Sequence, residues 1–342
     1  MVSETLIDPA DTPQDAPGDR PRVRPALTHV PMSSAPLPPL DQHIEPWSGG
    51  YEQVGEVSLH VRRTPGEGSE TVVYVHGLGG SSTNWTDLAA QLRPRAAGVA
   101  VDLPGFGFSE PADGFDFSLA AHADTLGEFV RGLEAGPVHL VGNSMGGAVA
   151  LLLAARNPEL VRTMTLISPA MPDLRPNPRR LSDPRMALAY LPLLGKRVRR
   201  QMARLTPRER AEQVINLCFA DPSAFSDRRL DELAEEHSAR ADLKWAAPAL
   251  AHSTLGIFRT WFARGQASLW SIAPKVEIPA LVVWGTEDKV ISVRRAVRTA
   301  KALPRGRLLV LPRTGHVAQM ERPVSVARAV LGMWESVDAD RW

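Results

Sequence analysis

The sequence predicts an α/β protein, built on a mostly parallel sheet with helices on both faces. Two observations carry this. Short apolar runs such as "TVVYVHG" and "IPALVVWG" read as strands buried on both sides. Segments with helical spacing alternate with those runs along most of the chain, as in repeated β-α units. At 342 residues, with 44% hydrophobic and 23% charged content, the chain is long enough to bury one large core or two modest ones.

Taken in order, residues 1–46 form a leader with 10 of the 30 prolines, acidic residues and little periodicity. Such a composition buries too little apolar surface to offset its ordering entropy, so a disordered or loosely docked tail is expected. "EVSLHVRR" then alternates like a half-exposed strand. "TVVYVHG" follows as a buried strand, "NWTDLAAQL" as a helix and "GVAVDLPG" as a strand. "SLAAHADTLGEFVRGLE" reads as a helix with Ser118 as its N-cap. Strand "PVHLVGN", a helix after Ser144 and strand "VRTMTLISP" complete the first block. The alternation resumes with strand "IPALVVWG", helix "VRRAVRTAKAL", strand "GRLLVLP" and helix "PVSVARAVLGMWESV". Between these blocks, residues 169–274 carry no strand signal, only helical stretches such as "DPRMALAYLPLLGKRVRRQMARL" and "PRERAEQVINLCFA". An insertion of that length between two core strands reads as a helical cap, leaving 47–168 and 275–342 as the core. Its excess of Lys and Arg over Asp and Glu reads as a solvated face.

The bulk chemistry narrows the function. A net charge of +1, without a long basic run, gives no pull towards nucleic acid. A single cysteine, Cys218, rules out an internal disulfide and argues against a cysteine-based metal site; it reads as a buried cap residue. No apolar run is long enough to span a membrane, and the acidic start lacks the apolar segment of a secretory signal, so the expected location is cytoplasmic. Neither metal nor cofactor is expected.

The chemistry concentrates at strand ends. In "VHLVGNSMGGAVALLL", Ser144 lies where a buried strand turns into a helix, flanked by Gly142 and Gly146. A sharp turn there displays a hydroxyl above the sheet edge and aims helix N-terminal N–H groups, Met145 first, at any oxyanion formed. A serine needs a base, and the base an orienting acid. His316 in "LPRTGHVAQMERP" and Asp288 in "VVWGTEDKVIS" follow later strands, with Glu287 the fallback acid. Loops at one end of parallel strands converge on one crevice, which brings all three within reach. The glycine-rich "HGLGGSS" turn offers the Leu78 N–H, or alternatively that of Gly79, as a second oxyanion donor. His76 and Asp102 read as braces for their loops, and His122 as structural. Met171, Phe258, Trp261, Gly79 and Val317 are candidate pocket residues.

Together "HGLGG", "DLPGFGFS", "GNSMGG", "GTEDKV" and "GHVAQMERP" resemble the α/β-hydrolase superfamily over about residues 51–338. The resemblance implies an eight-stranded sheet, a Ser144–Asp288–His316 triad and a helical cap. "GNSMGGA" and "GHVAQMERP" are similar to the meta-cleavage product hydrolases, which cut carbon–carbon bonds. Those enzymes usually carry a "HGxGPG"-like turn and a Trp after the histidine, where this chain has "HGLGGSS" and Val317. The sequence therefore points first to a cofactor-free serine hydrolase acting on an apolar small-molecule carboxylic ester. A carbon–carbon hydrolase is the alternative, beside thioesterase, peptidase and perhydrolase activities and, outside enzymes, a non-catalytic ligand receptor.

Overall fold

A computed structural model describes residues 29–41, 43–174 and 205–342. The first 28 residues of the leader and the helical reading of most of 183–205 lie outside the described residues.

Eight strands form one sheet in the order β1-β2-β4-β3-β5-β6-β7-β8. They are β1 (Gly49–Val54), β2 (Val57–Thr64), β3 (Glu70–Val75), β4 (Ala96–Val101), β5 (Val138–Asn143), β6 (Val161–Ile167), β7 (Ala280–Gly285) and β8 (Gly306–Leu311). Strand β2 runs antiparallel to both its neighbours, and every other pairing from β4 to β8 is parallel. Parallel strands need crossovers, and helices supply them on both faces. These are α1 (Thr86–Leu92), α2 (Leu119–Gly132), α3 (Met145–Arg156), α4 (Pro207–Cys218), α5 (Asp227–Arg240), α6 (Ala246–Phe262), α7 (Leu269–Ile272), α8 (Ala296–Ala302), α9 (Ala318–Glu321) and α10 (Pro323–Asp338). Ser118 caps α2 as its sequence suggests, accepting the Ala121 N–H at 3.0 Å.

The strands of the central "VHLVGN" and "ALVVWG" type are buried at every position, so each side of the sheet carries its own core. One side packs α2, α3 and α7 over β3–β7 through residues such as Leu126, Leu151 and Leu166. The other packs α1 and α10 through Leu88, Trp85 and Trp334. Covering both faces explains why these runs read as continuous apolar stretches, not as alternating ones.

Where the sequence suggests a disordered or loosely docked leader up to residue 46, the chain is docked on the core from His29 onward. Val30 is buried against the α1–α10 side of the core. The Ser33 N–H donates to Arg328 O at 2.9 Å, its hydroxyl donates to Glu335, and the Arg328 guanidinium returns a bond to Ser33 O at 2.9 Å. Gly332 makes this approach possible, because a Cβ there would lie 2.1 Å from Pro31 O. A buried valine, one backbone bond and the side-chain bonds of Ser33, Arg328 and Glu335 hold the strap, which is why composition alone gives no sign of it.

All the described elements between β6 and β7 are helical. Helix α6 packs on α2 and the Phe117 loop. His122 of α2 is fully buried among Phe106, Phe115 and Phe117, and its Nε2 lies 3.3 Å from Ser253 Oγ of α6. Burial pushes this imidazole down to about 3, helped by the nearby His76 and opposed by Asp116. A histidine whose folded pKa lies below its unfolded value binds its proton first in the unfolded chain. Stability is then complete above the unfolded value of 6.5 and falls as the pH drops from there towards about 3. Unfolding by urea should show up to about 3 kcal/mol of this loss by about pH 4. His122→Leu should flatten that part of the profile while lowering stability at neutral pH. An unchanged acid limb would show that His122 does not contribute to it.

Candidate active site

The turn between β5 and α3 puts Ser144 at φ 53° and ψ −114°, a left-handed conformation rare for a residue with a Cβ. Its backbone is held from both sides. The Ser144 N–H donates to Ile167 O at 3.0 Å, while its carbonyl accepts the Ala170 and Ala148 N–H groups at 2.8 and 3.2 Å. The flanking glycines are there for close approach: a Cβ on Gly146 would lie 2.1 Å from Val75 O and 2.4 Å from His76 O. The serine is 8% exposed and opens α3.

The "HGLGG" turn stands directly beside it. A Cβ on Gly77 would sit 3.1 Å from both Ser144 Cβ and Asn143 Oδ1. His76 braces this turn, as its sequence context suggests. Its Nδ1–H donates to Gly77 O at 2.7 Å, and its Nε2 accepts the Leu103 N–H at 2.9 Å. That pattern requires the neutral ring, and burial lowers its pKa accordingly despite Asp102 nearby. Asp102 organises two loops at once. It accepts Ser82 N–H at 2.5 Å, Phe108 N–H at 3.0 Å and His60 Nδ1 at 2.8 Å. Burial alone would raise its pKa, but the hydrogen bonds it accepts from His60 and the Phe108 N–H hold it below the usual carboxylate value.

His316 and Asp288 meet: Nδ1 lies 2.9 Å from Asp288 Oδ2, with the two side chains 5% and 0% exposed. Asp288 Oδ1 accepts the Val290 and Ile291 N–H groups at 2.8 and 2.9 Å, so the carboxylate cannot rotate away from the imidazole. Glu287 points out to solvent. Asn143, the residue before Ser144, donates from Nδ2 to both Ile167 O and His316 O at 3.1 Å, which seats the histidine loop against the serine turn.

Of the candidate pocket residues, Gly79 has φ +74° and faces Leu250 of α6, whose Cδ1 would lie 3.7 Å from a Cβ there. Met171 is fully buried in the main core. Trp261 is buried with its Nε1–H donating to Ala170 O at 2.9 Å, and it carries Phe258 edge-on at 5.6 Å. Phe258 itself is 47% exposed, so it is not enclosed in the manner a pocket wall requires. Val317 packs with Ile215 and Phe219 of the insertion.

Two residues that sequence reasoning missed join the insertion to the site, Glu321 at the histidine loop and Lys289 at the Asp288 turn. The Glu321 carboxylate accepts Gly315 N–H at 2.6 Å and the Ala220 and Asp221 N–H groups at 3.2 Å. Lys289 donates to Asn216 O and Phe219 O at 3.0 Å, at the C-terminal end of α4 where a cation is favoured. Between them the His316 N–H donates to Cys218 O at 2.6 Å. Cys218 sits in this seam, its thiol pushed up to about 12 by burial and the Asp288 charge. Only the place of Glu321 in "GHVAQMERP" could have signalled it. Glu321→Ala leaves three N–H groups without their acceptor and should cost roughly 3 kcal/mol in urea unfolding. A loss below about 0.5 kcal/mol would mean that these bonds are replaced by water at no cost.

Residues 70–323 match the family described as "alpha/beta hydrolase fold". The chain belongs to that family. At the level of reaction class it is a hydrolase. It is 26% identical over 285 residues to the 2-hydroxy-6-oxononadienedioate/2-hydroxy-6-oxononatrienedioate hydrolase of Cupriavidus pinatubonensis, covering 81% of this chain and 90% of the relative. Among solved structures it is similar to a bacterial membrane phospholipase A, with TM-score 0.68 and 25% identity over 85% of this chain and 86% of the other. The 2-hydroxy-6-oxo-6-phenylhexa-2,4-dienoate hydrolase of Rhodococcus sp. strain RHA1 shares the fold at TM-score 0.68 and 22% identity, over 84% and 98% of the two chains. Among the described residues, no helix is long and apolar enough to cross a membrane.

Proposed function

We propose that this hydrolase cleaves carboxylic esters of small, fairly apolar molecules through an acyl-enzyme on Ser144. The observation that carries the reading is the buried Asp288–His316 pair at 2.9 Å, seated by Asn143 against the strained Ser144 turn. With Asp288 ionised, His316 Nδ1 holds a proton and Nε2 is left free to act as base. Ser144 Oγ attacks the carbonyl carbon as Nε2 takes its proton. The tetrahedral oxyanion is held by the Met145 and Leu78 N–H groups, and the imidazolium returns the proton to the departing alkoxide. Water, activated by the same nitrogen, then releases the acid. The insertion between β6 and β7 acts as a cap that shapes the pocket, with Leu250 and Trp261 from α6 and Val317 from the histidine loop supplying apolar surface.

The C. pinatubonensis relative favours a second reading, hydrolysis of a carbon–carbon bond next to a carbonyl, on the same three residues. Labelling with a fluorophosphonate probe, beside turnover of p-nitrophenyl esters and of a dienoic ring-fission product, decides between them. Labelling and ester turnover that vanish in Ser144→Ala support the ester reading. Fast turnover of the dienoic compound with sluggish esters transfers the assignment to the carbon–carbon reaction. Absence of labelling and of both turnovers in the wild type would remove the serine-hydrolase reading.

A further inference from the structure

Glu236 is a carboxylate only 8% exposed, carried by α5 within the helical insertion. It reaches across to the segment that follows "HGLGG". Its Oε2 accepts the hydroxyls of Ser81 at 3.0 Å and Thr83 at 2.9 Å, two groups that also lie 2.8 Å from each other. Its Oε1 is paired with Arg240 at 2.9 Å, and the two charged side chains are 7% and 11% exposed. Removing a carboxylate from water costs several kcal/mol unless a counter-charge and hydrogen bonds compensate it. Here Arg240 supplies the charge, and the loop hydroxyls supply the remaining donors.

The recipient of those bonds is the turn that stands beside Ser144. From Gly77 to Asn84 it is closed by Gly80 N–H to Gly77 O at 3.0 Å and by Ser81 N–H to Asn84 Oδ1 at 3.2 Å. The core holds it from one side, through Ser82 N–H to Asp102 at 2.5 Å. Glu236 holds it from the other, across 155 residues of sequence. The hydroxyls of Ser81 and Thr83 are thus the direct polar link from α5 to the loop that carries Leu78.

We propose that Glu236, neutralised by Arg240, is a positioning residue that fixes the Leu78 N–H over Ser144, so that the seating of the helical insertion sets the rate of chemistry as well as the choice of substrate. The proposal rests on the serine-hydrolase reading above. Leucine at this position keeps the bulk but has no acceptor, whereas glutamine keeps one oxygen for the two hydroxyls. A misplaced donor acts on the transition state more than on the bound ester.

The test compares Glu236→Leu and Glu236→Gln with the wild type in kcat, KM and the rate of fluorophosphonate labelling, with amide hydrogen exchange over residues 77–85. Glu236→Leu should lower kcat and the labelling rate about tenfold with KM within about threefold, and should speed exchange in that segment. Glu236→Gln should recover part of the loss in kcat, since its oxygen keeps the two hydroxyls while its NH₂ gives up the pairing with Arg240. The loop variant Ser81→Ala/Thr83→Val should reproduce the Leu effect on its own, and combining it with Glu236→Leu should add little, since both remove the same bonds. It also serves as the readout if Glu236→Leu does not fold. A loss confined to KM, equal damage by Leu and Gln, or additive losses would overturn the proposal. If the wild type fails to label, the serine-hydrolase reading falls. Unchanged exchange in Glu236→Leu would instead overturn the positioning role by itself.

Discussion

Asp288→Asn is expected to lower kcat for a p-nitrophenyl ester by about 10³–10⁴, while Glu287→Gln leaves it within about twofold. The two acidic residues are neighbours in sequence, and the fold separates them completely. Asp288 Oδ1 is already committed to two backbone N–H groups at 2.8 and 2.9 Å, so an asparagine there keeps its oxygen on those donors. Its NH₂ group then takes the place of Oδ2, 2.9 Å from His316 Nδ1. Two donors cannot face each other, so the imidazole changes tautomer: Nδ1 becomes the acceptor and Nε2 carries the proton. The nitrogen that must accept the Ser144 proton is then unable to do so. The shape of the site is kept, so the loss should appear in kcat and in the fluorophosphonate labelling rate, with thermal stability changed little. Glu287 has an exposed side chain, and its place in the turn is fixed only through its own N–H to Thr314 O at 2.9 Å, which glutamine retains. Activity lost in Glu287→Gln and kept in Asp288→Asn would reverse the assignment.

The sequence announces those parts of the site whose geometry is local. A strand that ends in a serine between close-approach glycines can be read without knowing what lies opposite, because the backbone conformation at Ser144 and the missing Cβ at Gly146 are properties of five consecutive residues. The same holds for the sheet, since β7 is apolar at nearly every position and β5 carries Val138, Leu140 and Val141, for the plain reason that both their faces are covered. What stayed hidden depends on side chains meeting across the chain. Glu321 reaches the end of α4 about a hundred residues earlier, and Glu236 meets the turn after β3 from farther still. Each reads in sequence as an ordinary helix carboxylate. The strap from residue 29 was hidden for a related reason: its docking relies on polar bonds between Ser33 and α10 and on the absence of a side chain at Gly332, neither of which leaves a hydrophobic pattern. His76 and Asp102 were legible as braces because glycines in their own loops mark tight turns, though their joining of the two loops was not.

Gly146→Ala is expected to have the largest effect on stability. The added methyl would sit 2.1 Å from Val75 O, 2.4 Å from His76 O and 2.6 Å from Val75 C. All three are backbone atoms of β3 and the residue after it, held in the sheet between β4 and β5. No side-chain rotation relieves such an overlap, so α3 must move off the sheet or the sheet must open. Overpacking of this kind typically costs about 1–3 kcal/mol where side chains can adjust, and more where the obstacle is backbone. A loss of about 4 kcal/mol or more in urea unfolding, or failure to accumulate as folded protein, is the expected outcome. Gly147→Ala provides the comparison, because its obstacles, Pro169 Cβ at 2.9 Å, Pro169 Cα at 3.1 Å and Gly142 O at 3.2 Å, all stand farther off and need only a few tenths of an ångström of adjustment. It should cost clearly less. Folded Gly146→Ala should also be slow in chemistry, since moving α3 away from β3 carries the Met145 N–H and Ser144 away from the Gly77–Leu78 turn. Equal stability of the two variants would mean that the contact between α3 and β3 is looser than these distances require, and that the glycine beside Ser144 serves the turn alone.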